Sequence, residues 1–168
     1  DVYGYQYEHN GDGVIARSAE ANNNASAATS STIAPYADLQ VQDLAATPSS
    51  LQSGEVLHIT WKDANTGNLA TAASWYDRIV VVNTSTGATL LNTTVHHDLA
   101  TQGAVAAGGG LARAYDFSLP NGSAGVGELA ITVTTDVYGY QYEYNAVGTA
   151  ESNNAAGANA TVTIAPYA

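Results

Sequence analysis

Cysteine and methionine are absent from the 168 residues. Without cysteine the chain has no disulfide framework, no thiol nucleophile and no cysteine zinc site. Positive charge is nearly as scarce, with 4 Lys+Arg against 15 Asp+Glu and a formal net charge of −11. Nucleic acid and anionic membrane surfaces both call for basic footprints, so no nucleic-acid partner and no membrane insertion are expected. No apolar run approaches the roughly 18 residues of a membrane helix. Asp1-Val2-Tyr3-Gly4 has neither the basic nor the apolar region of a secretory signal, and the sequence reads as an excerpt of something longer. Large apolar side chains are few as well: one Phe and two Trp in a chain that is 45% hydrophobic. Such a thin core of small residues suits a sheet protein.

What is present in excess is repetition. Asp1-Val2-Tyr3-Gly4-Tyr5-Gln6-Tyr7-Glu8 recurs unchanged as Asp136-Val137-Tyr138-Gly139-Tyr140-Gln141-Tyr142-Glu143, a separation of 135 residues. Thr32-Ile33-Ala34-Pro35-Tyr36-Ala37 returns as Thr163-Ile164-Ala165-Pro166-Tyr167-Ala168, a separation of 131. Solenoid units run to about 50 residues, so this period suits whole domains in tandem. The organisation expected is a C-terminal hairpin of the preceding repeat at 1–33, a linker at 34–37 and a complete repeat at 38–168.

Within that repeat, short alternating or β-branched runs separated by Gly, Asn, Ser and Pro carry the signature of an all-β sandwich. Strands are expected at 38–44, 55–61, 75–83, 89–96, 112–119, 128–137 (continuing as far as Tyr144) and 160–165, with no helix. Leu57, Ile59 and Trp61 share one face of the second strand, which places them in the core with Leu39, Val41, Ile79, Val81, Ile131 and Val133. Thr84-Ser85-Thr86-Gly87 and Pro120-Asn121-Gly122-Ser123 read as turns. Residues 100–110 read as a loop.

The ordered series Ala37-Asp38-Leu39-Gln40-Val41, Ser53-Gly54-Glu55-Val56-Leu57, Ile59-Thr60-Trp61, Asn65-Thr66-Gly67-Asn68, Ser74-Trp75-Tyr76-Asp77-Arg78-Ile79, Thr135-Asp136 and Glu151-Ser152-Asn153-Asn154 resembles the CARDB domain, a cell-adhesion-related, immunoglobulin-like domain of bacterial surface proteins. The resemblance implies a β-sandwich of seven to nine strands in a large, repetitive, extracellular protein. It brings no catalytic residues and no required cofactor.

Two groups of residues are candidates for a site. Tyr138, Tyr140, Tyr142 and Tyr144 stand at period two and share a face if the segment is a strand, as do Tyr3, Tyr5 and Tyr7 in the earlier copy. With Ile131 and Val133 inward, that face points outward and offers rings to a glycan or a protein; cross-strand packing is the alternative reading. Asp136, Glu143, Glu151 and Asn153, with Asn154, gather hard oxygen ligands suited to calcium. The competing reading is that Glu151 and the asparagines hold the loop through hydrogen bonds to its backbone.

Other chemistry finds little footing. His96 and His97 are adjacent on a strand and face opposite ways, so they cannot easily share an ion. No Gly-x-Ser-x-Gly elbow or His-Glu-x-x-His motif is present, and no enzymatic activity is expected. Lys62, the only lysine, is expected to point outward, away from any intramolecular cross-link.

The function expected is therefore a structural extender repeat of a surface adhesin, with neighbouring repeats of the same chain as its partners. A recognition module acting through the tyrosines is the second reading. The third is a self-association unit, in which the hairpin at 1–33 packs against another copy to give a homo-oligomer.

Overall fold

The computed structural model describes residues 25–166. The chain divides into units Asp1–Ala34 and Pro35–Ala168, and the strands described below lie in the second. The expected hairpin at 1–33 falls mostly outside the described residues, as do Tyr3, Tyr5 and Tyr7. Residues 25–33 carry no strand.

Eight strands form the second unit: β1 (Leu39–Thr47), β2 (Ser50–Gln52), β3 (Val56–Asn65), β4 (Trp75–Asn83), β5 (Ala88–His97), β6 (Gly110–Ser118), β7 (Gly127–Thr134) and β8 (Ala155–Thr163). A three-stranded sheet runs in the order β1-β3-β6 and a five-stranded sheet in the order β2-β8-β7-β4-β5. All pairings are antiparallel except β2 with β8. The architecture is the expected all-β sandwich.

Alternation explains which face each strand buries. Along β3, Leu57, Ile59 and Trp61 are buried while Val56, His58 and Thr60 are exposed. Along β4, Trp75, Asp77, Ile79 and Val81 point in. Leu57, Ile59 and Trp61 of the three-stranded sheet meet Ile79, Val81, Ile131, Val133, Ala160 and Val162 of the five-stranded sheet in one core cluster that also contains Phe117. Trp75, Leu39 and Val105 make a second, smaller cluster at one end. Every residue expected in the core is buried.

Three departures matter for the site. Strand β7 stops at Thr134, so the expected continuation to Val137 and beyond does not form. Asp136 is the reason: its φ of 43° lies in the left-handed region, which turns the chain out of the ladder. Strand β8 begins at Ala155 rather than Ala160, because the Ala-, Gly- and Asn-rich residues before Thr161 pair with β7 despite weak β-propensity. Residues 100–110 are not one loop either. A four-residue helix α1 (Leu99–Gln102) starts after Asp98, whose carboxylate caps the Ala100 amide.

The second unit also starts earlier than the sequence suggests. Ala37 is 1% exposed and bridges in parallel to Glu143, so part of the expected linker at 34–37 is built into the domain.

Candidate functional site

The tyrosines and the carboxylates lie together in the connection from β7 to β8, residues 135–154. Asp136 sets its first bend: its two carboxylate oxygens accept the amides of Tyr140 and Gln141, each at 2.9 Å, while its carbonyl accepts the Gly139 amide at 2.9 Å. Gly139, at φ 63°, completes the turn.

Beyond the turn the backbone joins no ladder and makes only the single bridge of Glu143 to Ala37. Its alternation is fixed from the side-chain end. Gln141 points inward, where Oε1 accepts the Ala72 and Ala73 amides at 2.7 and 3.1 Å. Glu143 also points inward: Oε1 accepts the Leu39 amide at 2.7 Å and Oε2 accepts Nδ2 of Asn154 at 3.0 Å. The tyrosines between them consequently face out, and Tyr138, Tyr140, Tyr142 and Tyr144 are all exposed. The expected outward row exists, on a loop rather than on a strand.

The row is not uniform. Tyr138 and Tyr140 join Tyr76 of β4, which lies 5.7 and 6.2 Å from them between ring centroids and stacks on His96 at 4.4 Å. Tyr142 and Tyr144 instead receive Tyr36, at 5.5 and 5.4 Å. One half of the row thus packs against the segment that enters the domain, and the other half forms an exposed aromatic cluster beside β4 and β5.

The entering segment is held from a second side by Asn65-Thr66-Gly67-Asn68. Asn68 Oδ1 accepts the Tyr36 amide at 2.8 Å, and the Tyr36 carbonyl accepts the amides of Asn68 and Leu69. Asn65, fully buried, accepts the Asp38 amide at 3.1 Å. Position 67 has to be glycine here, since a Cβ would collide with the Tyr36 carbonyl oxygen.

The four residues expected to attract calcium serve these same contacts. Glu151 Oε1 accepts the Glu143 amide at 3.1 Å, and Asn153 Nδ2 donates to Asp38 at 3.0 Å, where Asn145 also donates. Among the described residues, no group of three or more His, Asp or Glu side chains is placed to hold a metal ion. Glu143 and Glu151 accept backbone amides, as the competing reading expects of Glu151, while Asn153 and Asn154 donate to the side chains of Asp38 and Glu143. Burial pushes the Glu143 carboxyl up to about 8 against the pull of the Leu39 amide and Asn154. It pushes Asp136 up to about 6 against its two backbone donors.

A further buried cluster was not legible as a site in the sequence. Trp61 Nε1 donates to Asp63 Oδ1 at 2.9 Å, and Trp75 Nε1 donates to Asp77 Oδ1 at 3.1 Å. Arg113 of β6 lies between the two acids, 2.9 Å from Asp77 and 3.5 Å from Asp63. The twice-used Trp-x-Asp spacing, which puts indole and carboxylate on one strand face, is the signal that could have found it. Burial and then the neighbouring Asp77 carboxylate push Asp63 up to about 8. His97, stacked on Trp75 at 3.7 Å, donates from Nε2 to the Gly103 carbonyl, and burial lowers its pKa. His96 is exposed on the opposite face, as the adjacency argument requires.

No family model matches the sequence, and no curated protein does. Among solved structures, the chain is similar to the crystal structure of the CARDB domain of a Pyrococcus furiosus protein in complex with di-metal ions. The identity is 18% and the TM-score 0.56, with 80% of this chain and 100% of that chain covered. The solution structure of that domain gives 18% identity and a TM-score of 0.53 over 77% of this chain and 98% of the other. The chain therefore has a CARDB-like fold.

Proposed function

We propose that this CARDB-like sandwich is one repeat of an extracellular adhesin, a spacer that carries other modules away from a bacterial cell surface. One observation supports the reading above the rest. The two stretches that recur without change are the two halves of a clamp. Thr32–Ala37 contains the entering Pro35-Tyr36-Ala37, and Asp136–Glu143 contains the loop that receives it. Tyr36 packs on Tyr142 and its neighbour Tyr144, and Ala37 bridges to Glu143.

In a tandem array the same pieces define the joint. At the far end of the repeat, Ala165 is tied to its own domain through its amide, which donates to Ser53 Oγ at 3.1 Å. Ala165 corresponds to Ala34, and the next residue to be clamped corresponds to Tyr36. A single proline separates the two anchors. Proline fixes φ, so such a joint has little freedom to bend and favours a stiff rod. The acidic composition keeps neighbouring rods apart. No helix among the described residues is long and apolar enough to cross a membrane.

The test is a chain of three consecutive repeats studied by small-angle scattering. A stiff array adds a constant increment to the maximum dimension per repeat. Scattering characteristic of freely jointed beads would remove the spacer reading. Antibody labelling and protease shaving of intact source cells address the location, and a domain protected until lysis would contradict surface exposure.

A further inference from the structure

The half of the tyrosine row that does not serve the joint borders a surface cavity of about 460 Å³ lined by Arg78, Asn92, Thr93, Thr94 and Tyr138. The register explains its chemistry. On the outer face of the five-stranded sheet, Arg78 pairs with Thr94 on one side and Thr134 on the other, and Tyr76 pairs with His96 one step along. A guanidinium, an amide and the Thr94 hydroxyl thus lie on this face beside Tyr138, whose ring meets those of Tyr76 and Tyr140.

Arg78 is the informative residue. Lys62 is paired with Asp43, and Arg113 with Asp77 and Asp63. Arg78 makes a hydrogen bond from Nε to Asn92 Oδ1 at 2.9 Å, and among the described residues it is the one Lys or Arg without an acidic partner. In a chain of net charge −11, a solvent-facing arginine held by an amide rather than by a carboxylate keeps its terminal nitrogens available for an anion.

We propose that this cavity binds an acidic saccharide. The Tyr138 ring stacks on the C–H face of a pyranose ring, Asn92 and Thr94 exchange hydrogen bonds with its hydroxyls, and Arg78 takes the sugar carboxylate. A cavity this polar does not suit an apolar ligand, and its volume lies in the range of small-molecule sites. The site stands on the outer sheet face, apart from the joint, and does not depend on the spacer reading.

The test is calorimetric titration of the full chain with tetragalacturonate, a glucuronate-containing oligosaccharide and sialyllactose, beside neutral cellotetraose and tetraglutamate. At least one acidic saccharide should bind, with cellotetraose and tetraglutamate weaker by about tenfold or more. Arg78→Gln and Tyr138→Ala should each weaken that binding by about tenfold, with melting curves unchanged because both side chains are exposed. The proposal fails if none of the acidic saccharides binds, if tetraglutamate binds as well as the sugars, or if either variant binds like the parent. Tyr142→Ala, on the joint side of the row, should bind normally; a matching loss there would move the site away from Arg78 and overturn the assignment.

Discussion

Nε of Arg113, on the three-stranded sheet, lies 2.9 Å from Oδ2 of Asp77 on the five-stranded sheet, and both side chains are almost wholly buried. This ion pair crosses the interior of the sandwich, and Nη2 of the same arginine reaches the Val95 carbonyl at 3.1 Å. Removing one partner of a buried pair leaves the other charge without compensation. Arg113→Leu should therefore cost about 3–5 kcal/mol in urea unfolding. Combining it with Asp77→Asn should recover part of the loss, because the orphaned carboxylate is gone as well.

Stability should fall as pH rises above the usual carboxylate range. In the unfolded chain Asp and Glu release their protons near pH 4. In the folded protein Asp136 holds its proton to about 6, and Asp63 and Glu143 to about 8. The native state thus binds more protons than the unfolded state between these limits. The contribution is complete below about pH 4 and disappears as pH passes the folded values, with a slope of at most about 1.4 kcal/mol per pH unit for each group. Urea midpoints at pH 5 and pH 8 should show the higher value at pH 5. Asp63→Asn keeps an oxygen for the Trp61 indole and should flatten the difference.

Trp61→Ala should cost about 3–5 kcal/mol, the range for deleting a large buried aromatic. Trp61 is 3% exposed and belongs to the main core cluster. A near-neutral urea midpoint would contradict its place there.

Gly67→Ala tests the clamp. The added Cβ meets the Tyr36 carbonyl, which cannot withdraw without losing its bonds to Asn68 and Leu69. A loss of about 1–3 kcal/mol is expected, the range for overpacking. If the clamp is what the substitution damages, proteolysis in the variant should begin at residues 34–38.

Chelation should leave the melting temperature unchanged, since the loop oxygens of Asp136, Glu143 and Glu151 already accept N–H groups of the chain. A structural calcium ion at about 100 times its dissociation constant adds about 2.7 kcal/mol. A drop of several degrees in chelator would show that such an ion is bound.

Sequence pattern was sufficient where burial alone decides the structure. From Leu57 to Lys62 apolar residues alternate with polar ones, and β3 buries Leu57, Ile59 and Trp61 as that pattern requires. It was insufficient at the tyrosine row, because Tyr-x-Tyr at period two has the pattern and β-propensity of a strand. What makes it a loop is the pinning of Gln141 to Ala72, 69 residues away, and of Glu143 to Leu39, 104 residues away. Neither partner can be read from the local sequence. The buried Arg113 was hidden for a similar reason: its position in β6 shares an inward face with Phe117, and charge at such a position reads as a breach of the pattern until its two acids are found.

The tandem array proposed above would hold like sheet edges at high local concentration, which invites neighbours to zip together strand on strand. Strand β1 is one such edge. At Asp43, where φ is 55°, its pairing with β3 shifts register between Gln42 and Ala45. A straight ladder cannot continue outward across that irregularity. The far edge of the other sheet is β2, only three residues long. In such an array, close sequence identity between neighbours, ordinarily a hazard for misfolding, would be tolerable at these two edges because neither offers a long regular template.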